Sequence, residues 1–313
     1  MIGYVLKRLL AIVPTCCAVA VIVFAILRLT PGDPATMIAG DMATPEQLAQ
    51  IRATLGVDQP LYLQFVLWVG RLLQGDLGTS LISQVPVTQL IADRCGPTVA
   101  LALSTISVSI VVAVPLGVVA ARFRGSWLDR GLMGFSVLGF SLPVFLKGYL
   151  LVLFFAVGLR WLPVQGYASP ADGMAGFAAR LVLPTIALSL SYVALIARIT
   201  RSSVLEIIRE DYIRTARAKG LAEQTVLFRH ALRNAAVPVL TVIGVGIATL
   251  IGGVVVTESV FNLPGLGRLV VESVLARDYP VVQGLILVFA LVYILINLTV
   301  DLLYCVFDPR ITY

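Results

Sequence analysis

Apolar positions along this 313-residue chain gather into long unbroken runs rather than alternating with polar ones. Six runs reach the ~20 residues a helix needs to cross a hydrocarbon core. They cover about 9–29, 99–121, 132–158, 181–203, 236–257 and 281–305. Each is expected to be a helix, because backbone groups in lipid find no water and must pair internally. Pro14, Pro115, Pro143 and Pro184 lie in or near these runs, where neighbouring helices can satisfy the carbonyls they free.

The polar stretches between runs have structure of their own. The longest, 30–98, holds Thr44-Pro45-Glu46-Gln47: an N-cap, a proline at the first helical position and a capping-box Gln. Leu48, Ile51 and Leu55 follow at helical spacing, and Gly56 ends the segment. Leu61, Phe65, Trp68 and Leu72 make a second stripe, closed by Gly75, and Val87 to Arg94 reads as a third short helix. These helices are expected on the outer rim of the bundle, packing at the interface or docking an external partner.

Composition agrees with the runs. The chain is 59% hydrophobic and only 13% charged, with a mean hydropathy of +0.97, too apolar to solvate a surface in water. The net charge of +6 does not point to nucleic acid, because the excess sits in short loops beside apolar runs. The segments 1–8, 122–131, 198–233 and 306–313 carry 14 Lys and Arg in 62 residues; the alternate segments 28–97, 159–180 and 258–280 carry 8 in 115. The positive-inside rule therefore puts both termini and the 198–233 loop of this multi-pass membrane protein in the cytoplasm. The four cysteines, Cys16, Cys17, Cys95 and Cys305, form no CxxC pair, and His230 is the only histidine. Neither a disulfide framework nor a metal site follows.

The absent chemistry narrows the class. There is no GxxxxGK[ST] loop, no HExxH and no GxSxG, so the chain is not expected to be an enzyme or to bind ATP itself. A self-powered channel or secondary transporter would use charged groups inside the membrane. The clear candidates are only Lys147 and Asp301.

The most charged stretch, 198–233, carries eight basic residues and four acids between two apolar runs. Residues 206–218 are strong helix formers, Gly220 breaks the pattern, and 222–232 resumes it. Ile208, Ile213 and Ala216 fall roughly on one face. Two short helices joined at a glycine are expected within a cytoplasmic loop spanning 204–235, suited to a groove on a partner.

Here the residues resemble a known family. Arg214-Thr215-Ala216-Arg217-Ala218-Lys219-Gly220-Leu221 resembles the EAA loop of ABC importer permeases, whose pattern is Glu-Ala-Ala, three residues, Gly, nine residues, Ile-x-Leu-Pro. Ala216, Gly220 and Leu232 match; the Glu and the Pro do not. Further stretches resemble the dipeptide/oligopeptide/nickel branch: Leu29-Thr30-Pro31-Gly32-Asp33-Pro34-Ala35, Leu55-Gly56-Val57-Asp58-Gln59-Pro60-Leu61, Gly75-Asp76-Leu77-Gly78, Asn262-Leu263-Pro264-Gly265-Leu266-Gly267-Arg268, Arg277-Asp278-Tyr279-Pro280 and Asp308-Pro309-Arg310. The resemblance covers essentially the whole chain, in order.

It implies an all-α integral membrane permease of the type I ABC importer fold, a single transmembrane domain over 1–313 in the bacterial inner membrane. It implies a second homologous permease in the membrane, two ATP-binding subunits below that hold the ATP and Mg, and an extracytoplasmic substrate-binding protein. This chain would form half of the pathway for di- or oligopeptides, with a nickel-chelate or glutathione importer as the nearest alternative. The ATPase-coupling lever would be Asp211, Arg214, Thr215, Ala216, Arg217, Lys219, Gly220 and Leu221.

Three charged residues are pathway or gate candidates. Lys147 is a cavity charge for a substrate carboxylate, or a contact to the carbonyls that Pro143 frees, or a snorkelling side chain. Asp301 pairs with Arg8 or a loop arginine, or gates. Glu258 belongs to an external gate, or ends its helix in solvent. Gly244, Gly246, Gly252 and Gly253 are expected to pack against the partner permease. His230 is expected to be a polar loop residue.

Overall fold

The computed structural model describes the backbone of residues 2–29, 44–55 and 58–307, with side chains over 10–25, 44–50, 52 and 58–302. Among the described residues twelve α- or π-helical segments follow one another, with a short 3-10 turn at Pro170–Asp172 and no strand beyond the lone Thr79–Pro86 bridge. They are α1 (Ile2–Leu29), α2 (Pro45–Leu55), α3 (Leu61–Leu73), α4 (Val87–Arg122), α5 (Trp127–Ser141), α6 (Val144–Leu151, continued in π geometry to Gly158), α7 (Met174–Ile207), α8 (Asp211–Ala218), α9 (223–234, partly π), α10 (Ala236–Phe261), α11 (Leu266–Leu275) and α12 (Tyr279–Phe307). Among the described residues, α4, α7, α10 and α12 are long and apolar enough to cross a membrane. The motifs at 30–35 and 308–310 lie outside the described residues, as do Gly56 and Val57.

Three expectations are corrected. The short helix expected at 87–94 is the first part of the 36-residue α4. Pro97 does not end it, since a spanning helix tolerates a proline where neighbours satisfy the freed carbonyl. The run 132–158 is not one straight helix: α5 and α6 meet at 105° across Leu142-Pro143. Proline lacks the N–H that would continue the ladder, and its ring clashes with the preceding turn. The helix expected over 206–218 is also divided. Glu206 and Ile207 end α7, and a turn at 208–210 re-aims the chain into α8.

Two compact units divide the chain: 1–7, 96–268 and 293–313 form one, 8–95 and 269–292 the other. In the first, α7 is the central helix, contacting α5, α6 and α10. Its apolar window is 56% buried, against 22% for α4. Lipid is as apolar as leucine, so close packing and hydrogen bonds hold such helices together rather than water exclusion. Gly244, Gly246 and Gly253 show this within the chain. A Cβ on them would meet Val300, Tyr192 and Leu188 respectively, so these three serve close packing within the chain, where packing against a partner was expected. Only Gly252 of the four faces open space.

In the second unit, the loop before α4 is clasped by Asp278. Its carboxylate accepts from Ser80 Oγ and from the Leu81 N–H at 3.1 Å. Two stretches of the resemblance thereby meet, with Gly78 against Pro280. Earlier in this unit both arms of the Thr44–Gln47 capping box form, at 2.9 and 3.3 Å.

Candidate coupling site and buried charges

The helix α8 is eight residues long and two-sided. Ile213 (0% exposed) and Ala216 (8%), one turn apart, enter a core of Val118, Ala121, Val204, Val226, Leu227 and Ala231. The core joins α8 to the ends of α4 and α7 and to α9. Asp211, Tyr212, Arg214, Thr215, Arg217 and Lys219 are exposed on the other side. Arg214 pairs with Asp211 at 2.6 Å on the surface.

The end of α8 is a Schellman motif. The Leu221 N–H donates to the Ala216 carbonyl at 3.3 Å, and the Gly220 N–H to Arg217 at 2.9 Å. This closure needs a residue at positive φ, and Gly220, at +79°, supplies it without a side-chain clash. Beyond the turn, Arg217 grips Glu223 with two N–H donors, at 2.8 and 3.1 Å. That hydrogen-bonded guanidinium holds the Glu223 carboxyl below the usual carboxylate range and raises the arginine in turn. The coupling candidates Asp211, Arg214, Thr215, Ala216, Arg217, Lys219, Gly220 and Leu221 thus form one continuous element. Ala216 is its anchor, and the rest of these residues are exposed.

Lys147 is buried at 4% exposure. Its ammonium donates to the Gly139 carbonyl at 3.0 Å and to Ser191 Oγ of α7. Gly139 is four residues before Pro143, so its carbonyl is the one the proline leaves without an N–H. The lysine side chain supplies the missing donor across the bend. Among the described residues no carboxylate pairs with it.

Glu258 is fully buried, which corrects the expectation of a solvated helix end. One oxygen accepts from Thr98 Oγ1 at 2.5 Å and the other from the Arg268 N–H at 3.0 Å. Thr98 Oγ1 also accepts the Leu266 N–H at 2.8 Å. The first turn of α11 has unpaired N–H donors and the positive end of its dipole, and the carboxylate satisfies both. A Cβ on Gly265 would overlap the carboxylate, so any larger residue there would have to displace Glu258 from this arrangement. Asp301 is half-buried. Its expected partner Arg8 has a side chain outside the described set.

One charged pair was missed from the sequence. Arg201 of α7 donates two bonds to Asp129, the second at 2.7 Å, and the Gly125 N–H adds a third at 2.9 Å. Ser126 Oγ caps α5 by accepting the Asp129 N–H at 3.3 Å. The local signal was the Ser126-x-x-Asp129 capping spacing; nothing local pointed to Arg201. Among the described residues no cluster of three or more His, Cys, Asp or Glu is placed to hold a metal.

Among the described residues the chain is thus a bundle of helices, with the two-sided α8 packed on the ends of α4 and α7 and on α9. Residues 113–313 match the family "binding-protein-dependent transport system inner membrane component", and 1–102 match its N-terminal companion. The chain belongs to this family of inner-membrane, multi-pass transport components. It is 50% identical over 310 residues to a protein of Sinorhizobium fredii described as a probable peptide ABC transporter permease, covering 99% of each chain. It is 46% identical, over the full length of both, to the glutathione transport system permease protein GsiC of Salmonella choleraesuis. The fold is similar to that of a chain in the inward-facing MetNI methionine ABC transporter, with a TM-score of 0.59 at 18% identity. That match covers 71% of this chain and 97% of the other.

Proposed function

We propose that this chain is one of two permease subunits of an ATP-driven peptide importer, and that α8 is the lever through which separate ATP-binding subunits move it. The observation that carries the lever is the two-sidedness of α8: Ile213 and Ala216 fasten it to the ends of α4 and α7, while its charged side stays free for a partner. A force on that side passes into the central helix through a packed core, and packed cores deform little. The basic charges of this face suit docking on an acidic groove, where complementary charge sets register and on-rate. The excess of Lys and Arg in alternate loops supports a cytoplasmic location for both termini and α8.

Di- or oligopeptides are the proposed substrates, on the strength of the 50% identical relative. Glutathione, itself a short peptide, is the second reading, because a relative at 46% carries that name. The partners are a second homologous permease, two ATP-binding subunits carrying ATP and Mg, and an extracytoplasmic binding protein. Lys147 and Glu258 act by holding the bend and the outer turn, and Asp301 is the gate candidate on α12. Family membership sets aside the self-contained channel or secondary transporter.

The test is co-purification of the tagged chain in mild detergent, followed by peptide uptake and ATP hydrolysis in proteoliposomes. Recovery of a second permease and ATPases, with Ala216→Asp abolishing uptake while the chain still inserts, supports the lever. A stable homo-oligomer lacking ATPases, or normal uptake by Ala216→Asp, sinks it.

A further inference from the structure

The helix α3 has its polarity turned inside out. Gln64 is buried at 7% exposure, its amide donating to the Gln59 carbonyl at 2.6 Å. Tyr62 (72%), Val66 (61%), Leu67 (52%) and Leu73 (83%) are exposed. A helix on a water-facing surface shows the reverse, with its polar face outward. At 13 residues, α3 is about 20 Å long by its rise. That is well short of the ~30 Å hydrocarbon core, so it does not cross a bilayer.

Its inner face fixes where it lies. Phe65 and Trp68 pack against Phe24, with ring centroids 5.2 and 5.7 Å away, and Phe24 is five residues from the end of the 28-residue α1. Beside that contact, Val21 and Ile22 of α1 are themselves exposed and apolar. Exposed apolar side chains thus stand on both helices around this contact. Tyr62 and Trp68 are the side chains that favour the zone between headgroups and acyl chains.

We infer that α3 is an interfacial helix set in one leaflet, with Tyr62, Val66, Leu67 and Leu73 against lipid acyl chains. It rests on the family's membrane location and not on the coupling role of α8, so the two fail separately. Apolar side chains at this boundary bury about 5–10 Å into the lipid. Arg71 in the last turn of α3 is also exposed, and its long side chain suits snorkelling to the headgroups.

The test uses the assembled complex in lipid nanodiscs, with nitroxide labels at Tyr62→Cys, Val66→Cys and Leu73→Cys after replacement of the native cysteines. Oxygen, which partitions into lipid, should relax these labels more than the water-soluble nickel chelate Ni-EDDA, and a label at Gln84→Cys should show the opposite order. Ni-EDDA exceeding oxygen on α3 overturns the inference in favour of water. Exclusion of both reagents overturns it in favour of a protein partner, whether the binding protein or the second permease. A second arm leaves the native cysteines in place and puts photoreactive benzoylphenylalanine at Tyr62 or Val66 in native membranes. Absence of a protein adduct at both positions supports lipid contact, and a specific adduct with either partner overturns it.

Discussion

Two short helices, α8 and α3, are built alike and finished in opposite ways. Each is too short to span, and each packs one narrow face: the buried Ile213 and Ala216 on α8, the half-buried Phe65 and Trp68 against Phe24 on α3. The free face of α8 carries Asp211, Arg214, Arg217 and Lys219; that of α3 carries Tyr62, Val66, Leu67 and Leu73. A buried face says that a helix docks. The free face says which medium it docks in. An amphipathic pattern alone does not separate the two, because it marks a difference between faces and not which face is inside.

The sharpest way to break the comparison is to attack the docked face of α8. Ile213→Asp puts a carboxylate at a site with no exposure, at a loss on the order of several kcal/mol. Trypsin should then cut after Arg214, Arg217 and Lys219 much faster in detergent, while far-UV circular dichroism holds. Unchanged cleavage would mean that α8 does not depend on this core.

Opposite substitutions on the free faces come next. Val66→Asp should destabilise the complex in nanodiscs by about 1–3 kcal/mol, between the values for the bilayer centre and its edge. Arg214→Leu on α8 should stay within about 0.5 kcal/mol, as most surface changes do. Thermal unfolding of the two variants side by side checks this, and equal effects would erase the distinction. Gly220→Ala is expected to cost about 1–2 kcal/mol, the penalty of a left-handed backbone for an L side chain. Faster amide exchange at Gly220 and Leu221 is its signature.

The smallest effect belongs to Arg217 and Glu223. Arg217 lowers the Glu223 carboxyl in the folded protein, so the pair's contribution is present above the unfolded value near 4.5 and is lost as pH falls through the lower folded one. Both side chains are about a third exposed, and solvent screening keeps the contribution under ~1 kcal/mol. Loop protection should fall only at acidic pH, and Glu223→Gln should remove that dependence. A loss of protection between pH 6 and 8 would point to another group.

What was legible in the chain followed from contacts close in sequence. The Thr44–Gln47 cap and the Gly220 stop lie within a turn or two of their partners, and the apolar pair Ile213 and Ala216 showed in its spacing, though not the distant Val118 and Ala121 it packs on. Pro143 was visible too, but not the 105° turn it allows, because the direction after a break is set by what the next helix packs on. Glu258 was misjudged because Thr98 stands 160 positions away. Asp129 was overlooked with Arg201 72 positions away, and the partnership of Ser80 and Asp278 spans 198. A carboxylate at a helix end looks solvated until the fold brings a donor to it.

The lysine at the bend has a consequence for how the chain is made. A ribosome releases Gly139 eight residues before Lys147, and Ser191 only 44 residues after it. The carbonyl is therefore available to the ammonium as soon as both leave the tunnel, and the hydroxyl arrives with a later helix. The charge can enter the bilayer already bonded to its own segment, as a self-capped hairpin. The arrival of α7 adds Ser191 as the second partner, so the order of synthesis matches the order in which this buried lysine can gain its hydrogen bonds.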